Sequence, residues 1–117
     1  LRTGDWLNDF RYALKSPANA RARLATVTAE LLSLHRELAM TQVAEKQKRR
    51  EVFAQSNETS VSGRDREADA YVGDYLDDII RMKGDIAAYS EERDQLRFFI
   101  EHEAIDAVVD QLPPADS

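Results

Sequence analysis

His35 and His102 are the two histidines of this 117-residue chain. Imidazole is the side chain that titrates near neutral pH, so it is the first to weigh for acid–base or metal chemistry. Pairing the long helices described below sets His35 opposite Lys83, roughly 30 Å from His102 at the helical rise. They share no site within one chain. His102 has Asp106 four residues on, with Glu101 and Glu103 beside it, which suits a surface metal contact less well than an ordinary helix exterior. The adjacent carboxylates Asp77-Asp78 and Glu91-Glu92 diverge by about 100° around a helix, a geometry for solvation and not for sharing a proton. No HExxH pattern occurs, and Gly63, Gly73 and Gly84 stand apart, so no phosphate-cradling loop is spelled out. Cysteine is absent, which removes disulfides and thiolate metal sites. The expectation is a non-enzyme with no catalytic residue, metal or cofactor.

Charge offers a second kind of chemistry. Lys46, Lys48, Arg49 and Arg50, with Arg64 and Arg66 farther along, make a basic collar able to grip nucleic-acid phosphates. Glu67, Asp69 and Asp74 lie in the same region and can cancel it, and only Phe53 is interleaved for base stacking. Asp69, Asp74, Asp77, Asp78, Asp85, Glu91, Glu92 and Asp94 form an acidic run that imitates a phosphate track or simply meets solvent. Nucleic acid is therefore a partner allowed but not favoured. Residues 1–62 carry ten Lys/Arg against seven Asp/Glu, and residues 63–117 carry six against fifteen. Opposite halves of this kind attract one another when a chain folds back on itself.

The elements that must hold these residues are helices. Ala68, Val72, Tyr75, Ile79, Met82, Ile86, Tyr89, Arg93, Leu96, Ile100 and Glu103 alternate in steps of four and three, the spacing of a coiled-coil seam. Arg93 is the charged residue inside it and reads as a device for fixing register. An earlier seam runs through Leu24, Val27, Leu31, Leu34 and Leu38, then turns polar through Thr41, Glu45, Lys48 and Val52. Ser16-Pro17 is a preferred helix opening, and nothing breaks the helix from Pro17 to Gln55. Residues 56–62 are rich in Ser, Asn and Thr, which favour turns, and Ser62 with Asp65 reads as the cap of the next helix. That helix is expected over 63–110, ended by Leu112-Pro113-Pro114, with 111–117 as tail.

A first short helix over 3–15, capped by Thr3, presents Trp6, Phe10 and Leu14 on one face. About three turns do not hold alone in water, so it must dock. Folding near residue 59 pairs positions summing to about 118, and the two seams then coincide. The expected fold is all-α: a long antiparallel coiled-coil helical hairpin in one domain, with the short helix packed at the open end. Trp6 and Phe10 are expected to cover Phe98 and Phe99 there. Tyr71, Leu76, Ile80 and Phe99, with Leu32 and Ala39, fall outside the seams. That surplus points to self-association, two hairpins making a four-helix bundle.

Ser60-Val61-Ser62-Gly63-Arg64-Asp65-Arg66-Glu67-Ala68-Asp69 and Arg97-Phe98-Phe99-Ile100 resemble the turn and the aromatic helix end of small helical-hairpin proteins of bacteriophages, particularly those infecting actinobacteria. The resemblance covers about residues 17–103. It implies a viral setting in the host cytoplasm, and those proteins mostly have no assigned role. Hydrophobic content is 43% and charged content 32%, no stretch is apolar enough to span a bilayer, and no secretory leader is read. The function expected is a coiled-coil protein-interaction module, an accessory or adaptor of a larger complex. The alternatives are a regulator of nucleic-acid transactions, acting through the basic collar or by acidic mimicry, and a phage structural or scaffold subunit.

Overall fold

Three helices follow one another in the computed structural model, which describes residues 5–102: α1 (Trp6–Ala13), α2 (Pro17–Gln55) and α3 (Val61–Glu101). The long pair is joined by the short link 56–60 and forms the all-α helical hairpin expected from the two seams. Its antiparallel register is fixed by side chains. Arg49 of α2 bonds Asp69 of α3, two positions that sum to 118. Arg23 of α2 bonds Glu92 of α3, three short of that sum.

Burial follows the heptads. Val27, Leu31 and Leu34 on α2 and Val72, Ile79, Met82, Tyr89 and Leu96 on α3 are all buried. Burying a side chain of this size is worth roughly 1.5–3 kcal/mol each, which is what holds the two helices against each other. The polar continuation of the first seam is buried too, at Glu45 and Val52. With Leu31 and Val72 taken as heptad position a, Arg49 and Asp69 are both e, and Arg23 and Glu92 are both g. In antiparallel pairs e meets e and g meets g across the flanks of the seam, and these positions carry interhelical ion pairs.

The described chain divides into two compact units: a proximal one of residues 5–33 with 85–102, and a distal one of residues 34–84. In the proximal unit α1 lies lengthwise beside α2. Asn19 Nδ2 donates to the Tyr12 carbonyl at 3.2 Å, and Ala13, Leu14 and Ala20 are sealed off from water. Ala20 was not part of the expected seam, although it stands four residues before Leu24 in the same register. The distal unit consists of parts of α2 and α3 with the link between them.

Several boundaries differ from expectation. α1 opens at Trp6 with Asp5 in the cap position and no side-chain cap bond; the expected cap Thr3 lies outside the described residues. α2 begins as read, with Ser16 Oγ accepting from the Asn19 amide at 3.1 Å. α3 starts at Val61, and its cap is Ser60, whose Oγ accepts from the Gly63 amide at 3.0 Å. Ser62, the cap expected from sequence, is instead inside the first turn. Two serines two residues apart both satisfy the sequence rule, and the amide pattern picks the first. The Cβ of any larger residue at 63 would come within 3.0 Å of Ser60 Oγ and Glu58 Oε2, so glycine leaves room for the cap. The expected helix end near 110, with Glu103 and the proline pair, lies outside the described residues.

Candidate functional site

Within the proximal unit the most constrained polar group is the Arg23–Glu92 pair. The guanidinium is held at two points, Nε to Glu92 Oε2 at 2.6 Å and Nη2 to Oε1 at 3.1 Å. The Glu92 side chain is 1% exposed and that of Arg23 15%. Asp9 of α1 adds a second carboxylate 3.8 Å from Arg23. Hydrogen bonding to Glu92 raises the Arg23 pKa above its ordinary value, outweighing the effect of burial, with the Glu92 and Asp9 charges adding to it. A fork of this geometry is the strong form of a charge-assisted bond. It links all three helices of the unit and is structural, since both carboxylate oxygens are already engaged.

Glu92 stands where the sequence reading had Arg93. Arg93 is not buried in the seam: its side chain stays 31% exposed, with Nε 3.3 Å from Asp94. The inward charged residue at this level is Glu92, because α1 and Arg23 cover that flank of α3. Scanning the g positions of both helices for opposite charges at matching levels would have found the pair.

Of the four aromatic residues expected at the open end, Phe98 is the one that stays out in solvent. Trp6 lies beside Ala88, Glu91, Glu92 and Gln95, at least three residues before Phe98 in α3. Phe98 remains 52% exposed, stacked on His102 at 4.2 Å and edge-on to Phe99. The lengthwise docking of α1 sets Trp6 at the level of Glu92, inward of the end of the pair. Phe10 is half-buried. Tyr89 is buried in the seam, and this burial, followed by the charge of Glu30, raises its hydroxyl pKa. Close by in sequence, Asp85 Oδ2 is buried with no partner among the described residues.

In the distal unit the basic collar is partly spent inside the chain. Arg49 bonds Glu45 at 3.0 Å and also Asp69, and these bonds, that to Asp69 first, raise its pKa. Arg64 donates to the Glu58 carbonyl at 3.0 Å and lies over the Phe53 ring. Lys46, Arg50 and Arg66 are exposed and Lys48 is half-buried beside Glu51, Glu67 and Tyr71. Of the acids expected to cancel the collar, Asp69 does so; Glu67 instead accepts from the Ser56 hydroxyl. The acidic run is similarly drawn down, since Asp69, Asp78, Glu92 and Asp94 each meet an arginine.

The apolar surplus does reach solvent. Leu32, Met40, Val43, Leu76, Ile80 and Phe98 are 37–70% exposed although the seam residues beside them are covered. Among the described residues no group of three or more His, Asp or Glu is arranged to hold a metal, and no helix is long and apolar enough to cross a membrane. Compared with known proteins, the chain matches no family model, no curated sequence and no solved structure.

Proposed function

We propose that this chain is a non-enzymatic coiled-coil module that acts by presenting its outer helix faces to other protein chains, as an accessory or adaptor within a larger assembly. A bacteriophage origin belongs to the same proposal and rests on the sequence resemblance alone. The observation that supports the reading is the exposed apolar set Leu32, Met40, Val43, Leu76, Ile80 and Phe98. Each seam already has its cover inside the hairpin, so these side chains contribute nothing to it and are available for association. A second copy of the chain is among the partners proposed.

Against the nucleic-acid alternative stand the bonds that hold Arg49 and Arg64 within the chain and the four arginine-matched acids of the mimicry run. The test is a titration with duplex and single-stranded nucleic acid at low and at raised salt, run beside reconstitution with candidate proteins on a sizing column. The reading expects no nucleic-acid complex at either salt and a stoichiometric complex with protein. A complex with nucleic acid at low salt that weakens steeply as salt rises overturns it in favour of the collar.

A further inference from the structure

The e–e bond of Arg49 with Asp69 fixes which side chains share a flank of the distal helix pair. Positions e and b fall on one side of the seam, and positions g and c on the other. The e/b flank carries Lys46, Arg49, Arg66 and Lys83 against Asp69, net +3. Asp69 is held by Arg49, which leaves Lys46, Arg66 and Lys83 exposed with no ion pair among the described residues. The g/c flank carries Glu37, Glu51, Glu67, Asp74 and Asp78 against Arg64 and Arg81. Lys48 lies on that side too, beside Glu51, Glu67 and Tyr71, so its net charge is −2. Glu37, Glu51 and Asp74 are exposed there and make no ion pair among the described residues. Residues 34–84 as a whole are nearly neutral, with nine Lys/Arg and ten Asp/Glu. The charge is therefore sorted by side and not by helix.

We propose that the cationic e/b flank of one copy packs on the acidic g/c flank of the next. This rests on the interaction-module reading above and names its partner. The two flanks lie on opposite sides of the pair, so the contact is heterologous and does not close: each copy keeps one flank free for a further copy. A foreign acidic chain would match one flank, whereas another copy of this chain matches both. Packing e/b on e/b, or g/c on g/c, opposes like charges instead. Stacking by translation lays each helix over its own counterpart. Arg66 then stands one residue from the level of Glu67, and Arg49 two residues from that of Glu51, roughly 1.5 and 3 Å along the axis. Both flanks also hold exposed apolar side chains, Leu76 and Ile80 on the cationic one and Met40 and Tyr71 on the acidic one.

Sedimentation velocity on the full chain, with two charge-reversal variants, tests this. The native chain is expected to assemble beyond a dimer as concentration rises at low salt, with affinity at least tenfold weaker at raised salt. Lys46→Glu/Arg66→Glu makes both flanks acidic, and Glu51→Lys/Asp74→Lys makes both cationic. All four residues are exposed, and none forms an ion pair among the described residues. Each variant alone is expected to stay monomeric, and an equimolar mixture of the two to assemble again, which chains that had failed to fold would not do. A native chain monomeric at all accessible concentrations, a dimer that grows no further, variants that assemble as the native chain does, or a mixture that stays monomeric overturns the proposal. A monomer that still forms a stoichiometric complex with another protein refutes the stack and leaves the broader function standing.

Discussion

In the proximal unit Arg23 grips Glu92 with side chains 15% and 1% exposed; in the distal unit Arg49 bonds Asp69 with side chains 34% and 61% exposed. Both pairs sit on the flank of the same type of seam, and both join α2 to α3. The difference lies in what surrounds them. Docking of α1 takes the first pair out of water, so its two charges depend on each other. The second pair keeps its solvent, and water can replace either partner. A buried pair is a constraint on the fold, while an exposed one is an adjustable surface feature. The proximal unit is accordingly the part that defines the structure. The distal unit combines a polar seam position at Glu45 with exposed apolar side chains, which is what the proposed association would use.

Breaking the buried pair gives the largest effect. Arg23→Ala removes the two-point partner of a carboxylate that is almost wholly enclosed, and is expected to cost about 2–4 kcal/mol by chemical denaturation. Arg49→Ala is expected to cost under about 1 kcal/mol in the same assay. Equal losses would erase the contrast between the units. Replacing the buried pair outright, Arg23→Leu with Glu92→Met, is expected to recover most of the loss, because an apolar pair needs no desolvation offset.

Helix caps sharpen the comparison, since they are expected to be equivalent in the two regions. Ser16→Ala and Ser60→Ala should each cost about 1 kcal/mol, and Ser62→Ala less than about 0.5. If Ser62→Ala proved the costly one, the start of α3 would have to move. A smaller change, opposite in sign, is expected in the distal unit: Gly84→Ala raises the melting midpoint by the equivalent of about 0.5–1 kcal/mol, because the added methyl meets open space and gains helix propensity.

The smallest effect is one of pH and belongs to the proximal unit. Burial raises the Tyr89 hydroxyl pKa above its value in the unfolded chain. Its contribution to stability is therefore complete below the ordinary tyrosine range near pH 10 and is lost as pH rises through the folded value. Denaturation midpoints should fall more steeply above about pH 10 in the native chain than in Tyr89→Phe. Identical alkaline profiles would mean that Tyr89 ionises without strain.

How much of this could be read beforehand depends on the range of each interaction. Val72, Ile79, Met82 and Leu96 announce themselves by spacing alone, and Ser16-Pro17 marks a boundary that is local in origin. Their burial required nothing beyond a second seam in register. Glu92 could not be read that way, because its partner lies 69 residues earlier and its cover comes from a third helix. The same docking sets Trp6 beside Glu91 and Glu92 and leaves Phe98 exposed, which spacing within one helix does not reveal. In the collar, spacing grouped the cations but did not say that the chain would use Arg49 and Arg64 itself.

Hydrogen exchange followed by residue on the full chain tests the contrast between the units most directly. Residues 88–96, held by Arg23 and α1, are expected to be better protected than residues 73–83. Equal protection in the two stretches, or greater protection over 73–83, would contradict it.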